Sequence, residues 1–377
     1  MSKSVLFCHD HMFSFYQGNY YSAGKLDYDK FKFYLNFFDS VVIISRVKNV
    51  DSLTSSDLLA TGPGVSIYPV DNLSSLKGLL NIRKVEKDLE MRMNKVDSVI
   101  VRLPSEIGIL AAKVALKLGK PLLGEVVANA KDCLMSQSNL KSKLYANVLD
   151  WRVKKIIAKL PNAVYVTKLY LQDSYPNIHN TIAVSDVVIK SINEPKTYTP
   201  KGKCVIGLIG NPDVHLKGVD VAIKAINQLG EAGYNVELQV VGGEGKQYII
   251  DNGYLPKNVK FLGAKDSTFI FDWFNSIDLY VQPSLTEGLP RALIEAMSSG
   301  TPCLASNVGG IPELLNDEYL FARGDFRSLA KKLSNLISDQ KSYATASNNV
   351  VNSAKSYTRT KLEPNRSKFY RNFFLNT

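Results

Sequence analysis

The sequence has few residues of the kinds that hold disulfides or metal ions. It contains four cysteines among 377 residues, none in a C-x-x-C spacing, and four histidines. Each cysteine lies in or near an apolar run, which favours reduced, buried thiols in a cytoplasmic protein over a disulfide framework. We therefore predict no metal site. The four positions are Cys8, Cys133, Cys204 and Cys303.

Long apolar runs are also missing. No stretch approaches the roughly 18 apolar residues that would cross a bilayer. The first ten residues, MSKSVLFCHD, contain one lysine and a short strand pattern rather than an export signal, so we expect a cytoplasmic location. The chain is 45% hydrophobic and 21% charged, as is usual for a globular protein, and is long enough for two domains.

Acidic residues are fewer than basic residues, and the difference is larger in the first half of the chain. The formal net charge is +11; residues 1–200 hold 26 Lys and Arg against 18 Asp and Glu, whereas residues 201–377 hold 20 against 17. A basic first half indicates an anionic partner, for which membrane lipid and nucleic acid are the candidates. No nucleic-acid-binding signature is present, so we predict no nucleic acid and keep an anionic membrane surface as a candidate partner.

Strand and helix patterns alternate along the chain. This alternation predicts an α/β protein with doubly wound, Rossmann-like parallel sheets. A polar stretch with two prolines at 190–203 predicts a linker, after which the alternation restarts. Strands are expected at 4–8, 40–45, 65–70, 98–102, 122–127, 163–167, 204–210, 236–242, 259–263, 278–282 and 302–306, and first-domain helices at 76–95, 106–118 and 139–160.

The first predicted strand, 4–8, is expected to end at His9, Asp10 and His11. No third metal ligand is close in sequence, so we expect these residues on a strand-end loop facing a cleft, where ligands of open α/β sheets collect. His9 and His11 are therefore candidate cleft residues. The aromatic stretch at 20–24 is expected to form a mobile loop that contacts an acceptor.

The helix predicted at 139–160 is amphipathic. Its apolar residues are Leu144, Val148, Trp151, Ile156 and Leu160, and six lysine and arginine residues give it a basic side. Two interpretations stay open. The helix packs on its own sheet, or it attaches the protein to an anionic membrane surface.

Residues 278–313 form a strand, a turn-rich loop, a helix and a second strand. Pro290 suits a first helical position, and Gly300 with Pro302 ends the helix. Glu287 lies before the helix and Glu295 lies inside it. The unpaired N–H groups of a helix start bind phosphate, so two flanking carboxylates suit a nucleotide-sugar.

The segment EGLPRALIEAMSSGTPCLAS resembles the signature of the family 4 retaining glycosyltransferases, with its Glu-x7-Glu pair at Glu287 and Glu295. The resemblance implies a GT-B fold, in which two Rossmann-like domains face a cleft and a C-terminal helix crosses back to the first domain. The expected boundaries are 1–195 for the acceptor domain, 196–357 for the nucleotide-sugar domain and 358–377 for that helix.

The resemblance also implies roles for individual residues. Glu287 and Lys217 are the expected catalytic residues, because a lysine of a Lys-Gly segment neutralises the donor diphosphate. Glu295 is expected to hold the ribose. The remaining predicted donor-binding residues are Gly288, Leu289, Arg291, Gly210, Asn211, Gly242 and Gly263.

Two departures from the family pattern affect these expectations. Asn211 replaces the usual arginine after Gly210, so one of the two phosphate-binding cations of the family pattern is missing at that position. The usual first-domain histidine has no counterpart, since Val127 and Arg102 stand at the corresponding positions. Arg102 and Glu125 are candidates for acceptor or donor contact, or form a mutual structural ion pair.

The resemblance implies a metal-independent hexosyltransferase. It would move a sugar from a uridine or guanosine diphosphate donor to a glycan or lipid-linked glycan acceptor in surface polysaccharide synthesis, at the inner face of the membrane. No cofactor is expected beyond the donor substrate. The alternatives are a sugar-nucleotide epimerase or hydrolase and a catalytically idle nucleotide-binding relative.

Overall fold

The chain forms two compact α/β units. A computed structural model describes residues 3–23, 26–54, 57–73, 78, 81–135, 140–197 and 202–375. By their contacts, unit 1 comprises residues 1–130, 147–184 and 364–377, and unit 2 comprises 131–146 and 185–363. The α/β class expected from the alternating pattern is confirmed. No helix in the described ranges is long and apolar enough to cross a membrane.

Unit 1 contains a nine-stranded sheet. Its order is β4-β2-β1-β6-β7-β8-β9, and β3 pairs with both β1 and β5. All pairings are parallel except those that involve β2. The strands are β1 (Ser4–Tyr16), β2 (Asn19–Ala23), β3 (Ser40–Asn49), β4 (Asp57–Leu59), β5 (Val65–Pro69), β6 (Ser98–Leu103), β7 (Leu122–Val126), β8 (Asn162–Tyr165) and β9 (Asn180–Ala183).

The first strand differs from the prediction. It does not end before His9, because the register shifts between Cys8 and Met12 and the strand then continues to Tyr16. The expected mobile loop at 20–24 is also wrong for its described part, which is strand β2. Gln17 and Gly18 both have positive φ and form a two-residue hairpin turn, and the Phe15 and Tyr20 rings lie 5.0 Å apart across it.

Six helices in the described ranges begin before residue 185. They are α1 (Tyr28–Leu35), α2 (Ile82–Met93), α3 (Glu106–Lys117), α4 (Ala130–Met135), α5 (Leu140–Ile157) and α6 (Tyr170–Ser174). Residues 76, 77, 79 and 80 of the predicted helix 76–95, and residue 139 of the predicted helix 139–160, lie outside the described residues. Ser105 caps α3 by accepting a hydrogen bond from the Gly108 N–H. The buried face of α3 is almost wholly apolar.

Unit 2 contains a parallel six-stranded sheet with the order β12-β11-β10-β13-β14-β15. The strands are β10 (Cys204–Ile209), β11 (Val236–Val241), β12 (Val259–Phe261), β13 (Leu279–Gln282), β14 (Cys303–Ser306) and β15 (Leu320–Phe321). The helices are α7 (Val219–Glu231), α8 (Lys246–Asn252), α9 (Ser267–Ser276), α10 (Arg291–Ser298), α11 (Phe326–Ser338) and α12 (Gln340–Ala354). Their apolar faces join the strands in one continuous core.

The last helix is α13 (Arg359–Leu375), and from Pro364 onward it belongs to unit 1. The Tyr370 ring stacks on Phe37 with centroids 5.9 Å apart, and Phe373 contacts Phe38. These aromatic contacts give the end of the chain a fixed place in the first unit, as expected for the crossing helix.

Candidate active site

The candidate site lies at the carboxyl ends of the strands of unit 2. Strand order reverses beside β10, which has β11 on one side and β13 on the other. Ligands of open α/β sheets bind at such switch points, because the loops that leave the two strands diverge there. The loop after β10 leads to Lys217, and the loop after β13 leads to Glu287.

These two loops are locked together by backbone contacts. A 3₁₀ turn, His215–Lys217, ends at Gly218, whose φ is +64°. A β-carbon at Gly218 would lie 1.9 Å from the Pro283 carbonyl oxygen, so only glycine fits. The Leu285 N–H also donates to the Leu216 carbonyl at 2.9 Å. Lys217 is therefore held beside the second loop by main-chain geometry.

Glu287 is the centre of a small polar cluster. Its Oε1 accepts hydrogen bonds from Lys217 Nζ at 2.6 Å, Ser284 Oγ at 2.7 Å and Gln282 Nε2 at 3.0 Å. The side chain is only 11% exposed, whereas Lys217 is 36% exposed. Its other oxygen, Oε2, receives no hydrogen bond from any of the described residues. One oxygen is thus fixed, and the other remains for a ligand.

The side chains that orient Glu287 were missed in the sequence. Tyr280 donates to Gln282 Oε1 at 2.6 Å, and Gln282 in turn donates to Ser284 Oγ at 2.7 Å. All three are buried. Polar residues at alternate positions of an otherwise apolar strand share one face, so their spacing of two was the available signal. This chain of hydrogen bonds sets the direction of the carboxylate.

The loop after β14 supports the same segment from another side. Gly309 has φ +57°, and a β-carbon there would lie 1.8 Å from the Glu287 carbonyl oxygen. The Gly310 N–H donates to the Gly288 carbonyl at 2.9 Å. The backbone around Glu287 is consequently fixed on both sides, which limits the entropy lost when a ligand binds.

Helix α10 begins one residue later than predicted. Pro290 is its N-cap, with an extended ψ of 113°, and Arg291 is the first helical residue. The first main-chain bond within the helix runs from the Ile294 N–H to the Pro290 carbonyl at 3.3 Å. Arg291 and Ala292 therefore keep N–H groups without intrahelical partners, next to the positive end of the helix dipole. The N–H groups of Gly288 and Leu289 also have no hydrogen-bond partner in the described ranges.

Glu295 lies on α10 one turn after Arg291. Burial raises the pKa of its carboxyl group, and the nearby Arg291 charge lowers it by a smaller amount. None of the described residues donates a hydrogen bond to this carboxylate. Both Glu287 and Glu295 contribute to raising the pKa of the buried Tyr280 hydroxyl, for which burial is the main cause. The two carboxylates of the Glu-x7-Glu pair therefore lie within electrostatic reach of the same hydroxyl group.

Four further predicted donor-binding residues belong to adjoining strand ends. The Gly242 N–H donates to the Gly263 carbonyl at 2.9 Å, which joins the loops after β11 and β12. A β-carbon at Gly210 would lie 2.6 Å from Lys217 Cβ. Asn211 Oδ1 accepts from the Asp213 N–H at 3.0 Å, so its amide group stabilises its own loop. The structure therefore brings Lys217, Glu287 and these glycines to one edge of the sheet.

Two of the four candidate residues of unit 1, Arg102 and Glu125, form an ion pair at 2.7 Å. Glu125 Oε2 faces Arg102, while its Oε1 accepts hydrogen bonds from the hydroxyl groups of Tyr34 and Tyr370. Burial raises the pKa of Glu125, but the charges of Arg102 and Arg366 and the two hydroxyl groups lower it, with a net downward shift. This carboxylate is buried, charged and bonded through both oxygens.

The histidines lie on the bulged strand rather than on a strand-end loop. His9 Nδ1 is 3.2 Å from the Arg102 carbonyl oxygen, and burial lowers its pKa to about 3. His11 Nε2 lies 2.9 Å from Ser22 Oγ. Between them, Asp10 accepts hydrogen bonds from the N–H groups of Glu106 and Ile107 at the start of α3. Asp10 thus serves as a helix cap.

No group of three or more His, Cys, Asp or Glu side chains in the described ranges could hold a metal ion. The groups assembled in unit 2 are a lysine, two carboxylates and a set of unpaired N–H groups. Cations and N–H groups bind phosphate oxygens, and carboxylates accept hydrogen bonds from sugar hydroxyls. The arrangement can therefore bind a sugar-phosphate ester through its own side chains and backbone.

Residues 203–339 match the family model described as "Glycosyl transferases group 1". Protein CapJ of Staphylococcus aureus is 37% identical to this chain over 347 residues, which cover 88% of this chain and 86% of CapJ. A second relative from that organism, the capsular polysaccharide biosynthesis glycosyltransferase CapM, is 30% identical over 151 residues, covering 38% of this chain and 40% of CapM.

The structure is also similar to that of Anabaena HepE in complex with UDP-glucose. The TM-score is 0.66 at 16% sequence identity, and the alignment covers 97% of this chain and 98% of HepE. At this level of identity the similarity establishes the fold, which has two Rossmann-like domains.

Proposed function

The chain belongs to the group 1 glycosyltransferases and has their GT-B fold, and from this premise we propose that it transfers a sugar from a nucleoside-diphosphate-sugar to an acceptor hydroxyl with the anomeric configuration kept. The proposal includes hexosyl transfer without a metal ion. The observation that carries it is the environment of Glu287, whose Oε1 is bound to Lys217, Ser284 and Gln282 while Oε2 has no partner among the described residues.

The donor diphosphate is proposed to lie against Lys217 and the N–H groups of Gly288, Leu289, Arg291 and Ala292. During transfer, the bond between the anomeric carbon and the phosphate oxygen breaks and the diphosphate leaves with the electron pair. Preorganised cations and N–H groups stabilise that developing charge, and the loss of one such donor typically costs about 2.7–4 kcal/mol. The interlocked loops at Gly218 and Gly309 hold these groups in place before the reaction begins.

In this proposal the free oxygen of Glu287 accepts hydrogen bonds from the transferred sugar and faces the positive charge that develops at its anomeric carbon. The acceptor oxygen forms its bond to that carbon as the diphosphate leaves, and the acceptor proton passes to the diphosphate or to solvent. Lys217 holds the Glu287 carboxylate in place through their hydrogen bond at 2.6 Å. A single ion pair thereby serves both ends of the breaking bond.

Glu295 is proposed to bind the ribose hydroxyls of the nucleotide. A half-buried carboxylate without a hydrogen-bond donor is costly, and two ribose hydroxyls would supply the missing donors. Gly242 and Gly263 are proposed to line the remainder of the donor site, where their lack of side chains allows close approach of the ligand to the backbone. Since HepE binds UDP-glucose, UDP-sugars are the first donors to test, followed by GDP-sugars.

The acceptor is proposed to be a glycan or lipid-linked glycan of surface polysaccharide synthesis, on the cytoplasmic side of the membrane. The similarity to CapM, whose name assigns it to capsular polysaccharide biosynthesis, supports this class of acceptor. Arg102 and Glu125 are less suited to acceptor contact than to structure, because each is occupied by the other. His9 and His11 remain candidates on position alone.

The experiment begins with thermal stabilisation of the purified chain by UDP, GDP and their sugars. A donor present at 100 times its Kd adds about 2.7 kcal/mol to the free energy of unfolding, which is readily measured. Sugar transfer is then followed with the stabilising donor, and the anomer of the product is assigned by NMR. Nucleotide binding with no transfer to any glycan acceptor would contradict the proposal, as would an inverted product or an epimerised donor.

A further inference from the structure

The solvent-facing side of α5 (Leu140–Ile157) is unusually apolar. Leu140 is 69% exposed, Leu144 71%, Val148 49% and Trp151 60%. Their spacings of four, four and three residues place all four on one side of the helix. We refer to these four residues as the outer stripe. A helix that merely covered its own sheet would be polar on this side.

The opposite side of α5 is packed. Val153, Ile156 and Ile157 are buried, and Arg152 fixes the helix to α3 through an ion pair with Glu106 at 2.8 Å. The helix is therefore held in place by its inner side, and the outer stripe takes no part in that packing. At about 1.5 Å per residue the 18-residue helix is roughly 27 Å long, so the outer stripe is an extended surface rather than one stray side chain.

Exposed lysines border the outer stripe along both edges. At about 100° per residue, Lys143 and Lys154 flank it on one edge, Lys141 flanks it on the other, and Lys155 lies within it. Apolar residues that include a tryptophan, bordered by lysines, form the pattern of helices that lie in the plane of an anionic membrane surface. Lysine side chains are long enough to keep their charges at the headgroups while the stripe enters the acyl region.

We propose that the outer stripe of α5 and its bordering lysines form a docking surface for an anionic lipid bilayer, on which the helix lies parallel to the membrane plane. The commitment to lipid follows from charge complementarity, since four lysines on one helix would repel a second copy of the same surface. The surface does not include the donor site, so its failure and that of the proposed transferase activity are separable.

The test uses the full chain without any nucleotide-sugar. Binding is measured by co-sedimentation with vesicles of pure phosphatidylcholine and with vesicles that contain 30–40% phosphatidylglycerol, a range of about one-third anionic lipid chosen to resemble a charged leaflet. We expect binding to the anionic vesicles and at least tenfold weaker binding to phosphatidylcholine. Raising the salt to about 1 M, where the Debye length falls to about 3 Å, should reduce binding strongly.

Tryptophan fluorescence reports on the orientation. The chain has two tryptophans, of which Trp151 is exposed and Trp273 is buried in the core of unit 2. Binding should shift the emission to shorter wavelength, and brominated lipids should quench it, because Trp151 enters the membrane. Trp151→Phe should still bind vesicles but should lose the emission shift and the quenching. That result would assign both fluorescence changes to Trp151.

The variants separate the stripe from general basicity. Leu144→Asn with Trp151→Ser should lower the vesicle partition coefficient at least tenfold, as should Lys143→Glu with Lys155→Glu. Ile178→Asn and Lys257→Glu are matched controls, because they alter an exposed apolar residue and an exposed lysine outside α5, and they should bind like the parent chain.

Three results would overturn the proposal. They are no binding to anionic vesicles at low salt, equal binding to neutral and anionic vesicles, or stripe variants that bind like the parent chain. Sedimentation analysis adds a fourth: a dimer that the stripe variants dissociate would show that a second copy covers this surface. A Tm and a far-UV circular dichroism spectrum like those of the parent chain, measured without nucleotide-sugar, show that the stripe variants remain folded.

Discussion

Glu125 in unit 1 and Glu287 in unit 2 are both carboxylates beside a cation near the carboxyl end of a strand with parallel neighbours, yet their surroundings differ. Glu125 is paired through both oxygens, to Arg102 on one side and to two tyrosine hydroxyls on the other. Glu287 has three donors on Oε1 and no partner for Oε2 in the described ranges. The comparison shows that the distribution of hydrogen bonds between the two oxygens separates a structural carboxylate from one prepared for a ligand.

The cations that pair with these two carboxylates, Arg102 and Lys217, also differ in their exposure to solvent. Arg102 is largely buried and Lys217 is one-third exposed. A planar guanidinium suits a permanent ion pair, whereas a lysine on a flexible stem can contact a carboxylate and a phosphate group at once. The predictions below test whether the two acid–cation pairs have these separate roles.

Removal of the lysine should have the largest effect. Lys217→Ala should lower kcat by about 10²–10³-fold, the usual result when a preorganised donor to a developing anion is lost. Steady-state kinetics of sugar transfer would measure this fall in kcat. Lys224→Ala, on the nearby helix α7, is a control that leaves the site unchanged. A Lys217→Ala enzyme with parental kcat would contradict the phosphate role.

Glu125→Gln should act on stability rather than on catalysis. Removal of one partner from a buried ion pair typically costs about 3–5 kcal/mol, because Arg102 is left without its counter-charge. Denaturant unfolding would measure the loss, and donor KM should remain unchanged. If unfolding is unaffected while the KM for the acceptor rises, Glu125 contacts the acceptor and the comparison between the two carboxylates fails.

The same pair predicts a pH dependence. The folded-state pKa of Glu125 is lowered, so the stabilisation it contributes is present above the pKa of the unfolded chain and is lost as the pH falls through the folded-state value. Acid unfolding monitored in the parent chain and in Glu125→Gln should therefore converge at low pH. Curves that stay parallel down to acid unfolding would show that Glu125 contributes no such linkage.

Glu295→Gln should have two smaller effects: it should weaken donor binding and raise the thermal stability of the free protein. It should raise the donor KM by about tenfold, which corresponds to about 1.4 kcal/mol, with little change in kcat. Because burial raises the pKa of Glu295, its ionised form disfavours folding at neutral pH, so the variant should gain about 2 °C or more in Tm. A fall in Tm would show that Glu295 has a structural partner in the free protein.

Much of this organisation could be predicted from the sequence, and the exceptions have physical causes. The motif around Glu287 and Glu295 combines local turn and helix signals, so it identifies both the strand-loop-helix unit and the two carboxylates. The hairpin at Gln17–Gly18 was missed because aromatic residues serve equally in strands and in loops. Pairing between Glu125 and Tyr370 joins residues 245 positions apart, and local patterns hold no information about such contacts.

The side chains that orient Glu287 were missed for a related reason. Gln282 is buried in a strand whose apolar pattern predicts core packing, and the polar side chain becomes interpretable only when Tyr280 and Ser284 are seen beside it. The exposed stripe on α5 shows a second limit of sequence patterns, which do not tell exposed apolar residues from buried ones. Periodicity detected an apolar side of that helix, but only the structure separates the outward residues Leu144, Val148 and Trp151 from the buried Ile156 and Leu160.

The most direct test of the central claim is the kinetics of Glu287→Gln, which keeps the shape of the side chain and removes its charge. The account predicts a fall in kcat of at least about 10²-fold, with donor KM and the free energy of unfolding close to those of the parent enzyme. A Glu287→Gln enzyme with parental kcat would contradict the assignment of this carboxylate to the transferred sugar, and so would a variant whose main defect is loss of folding.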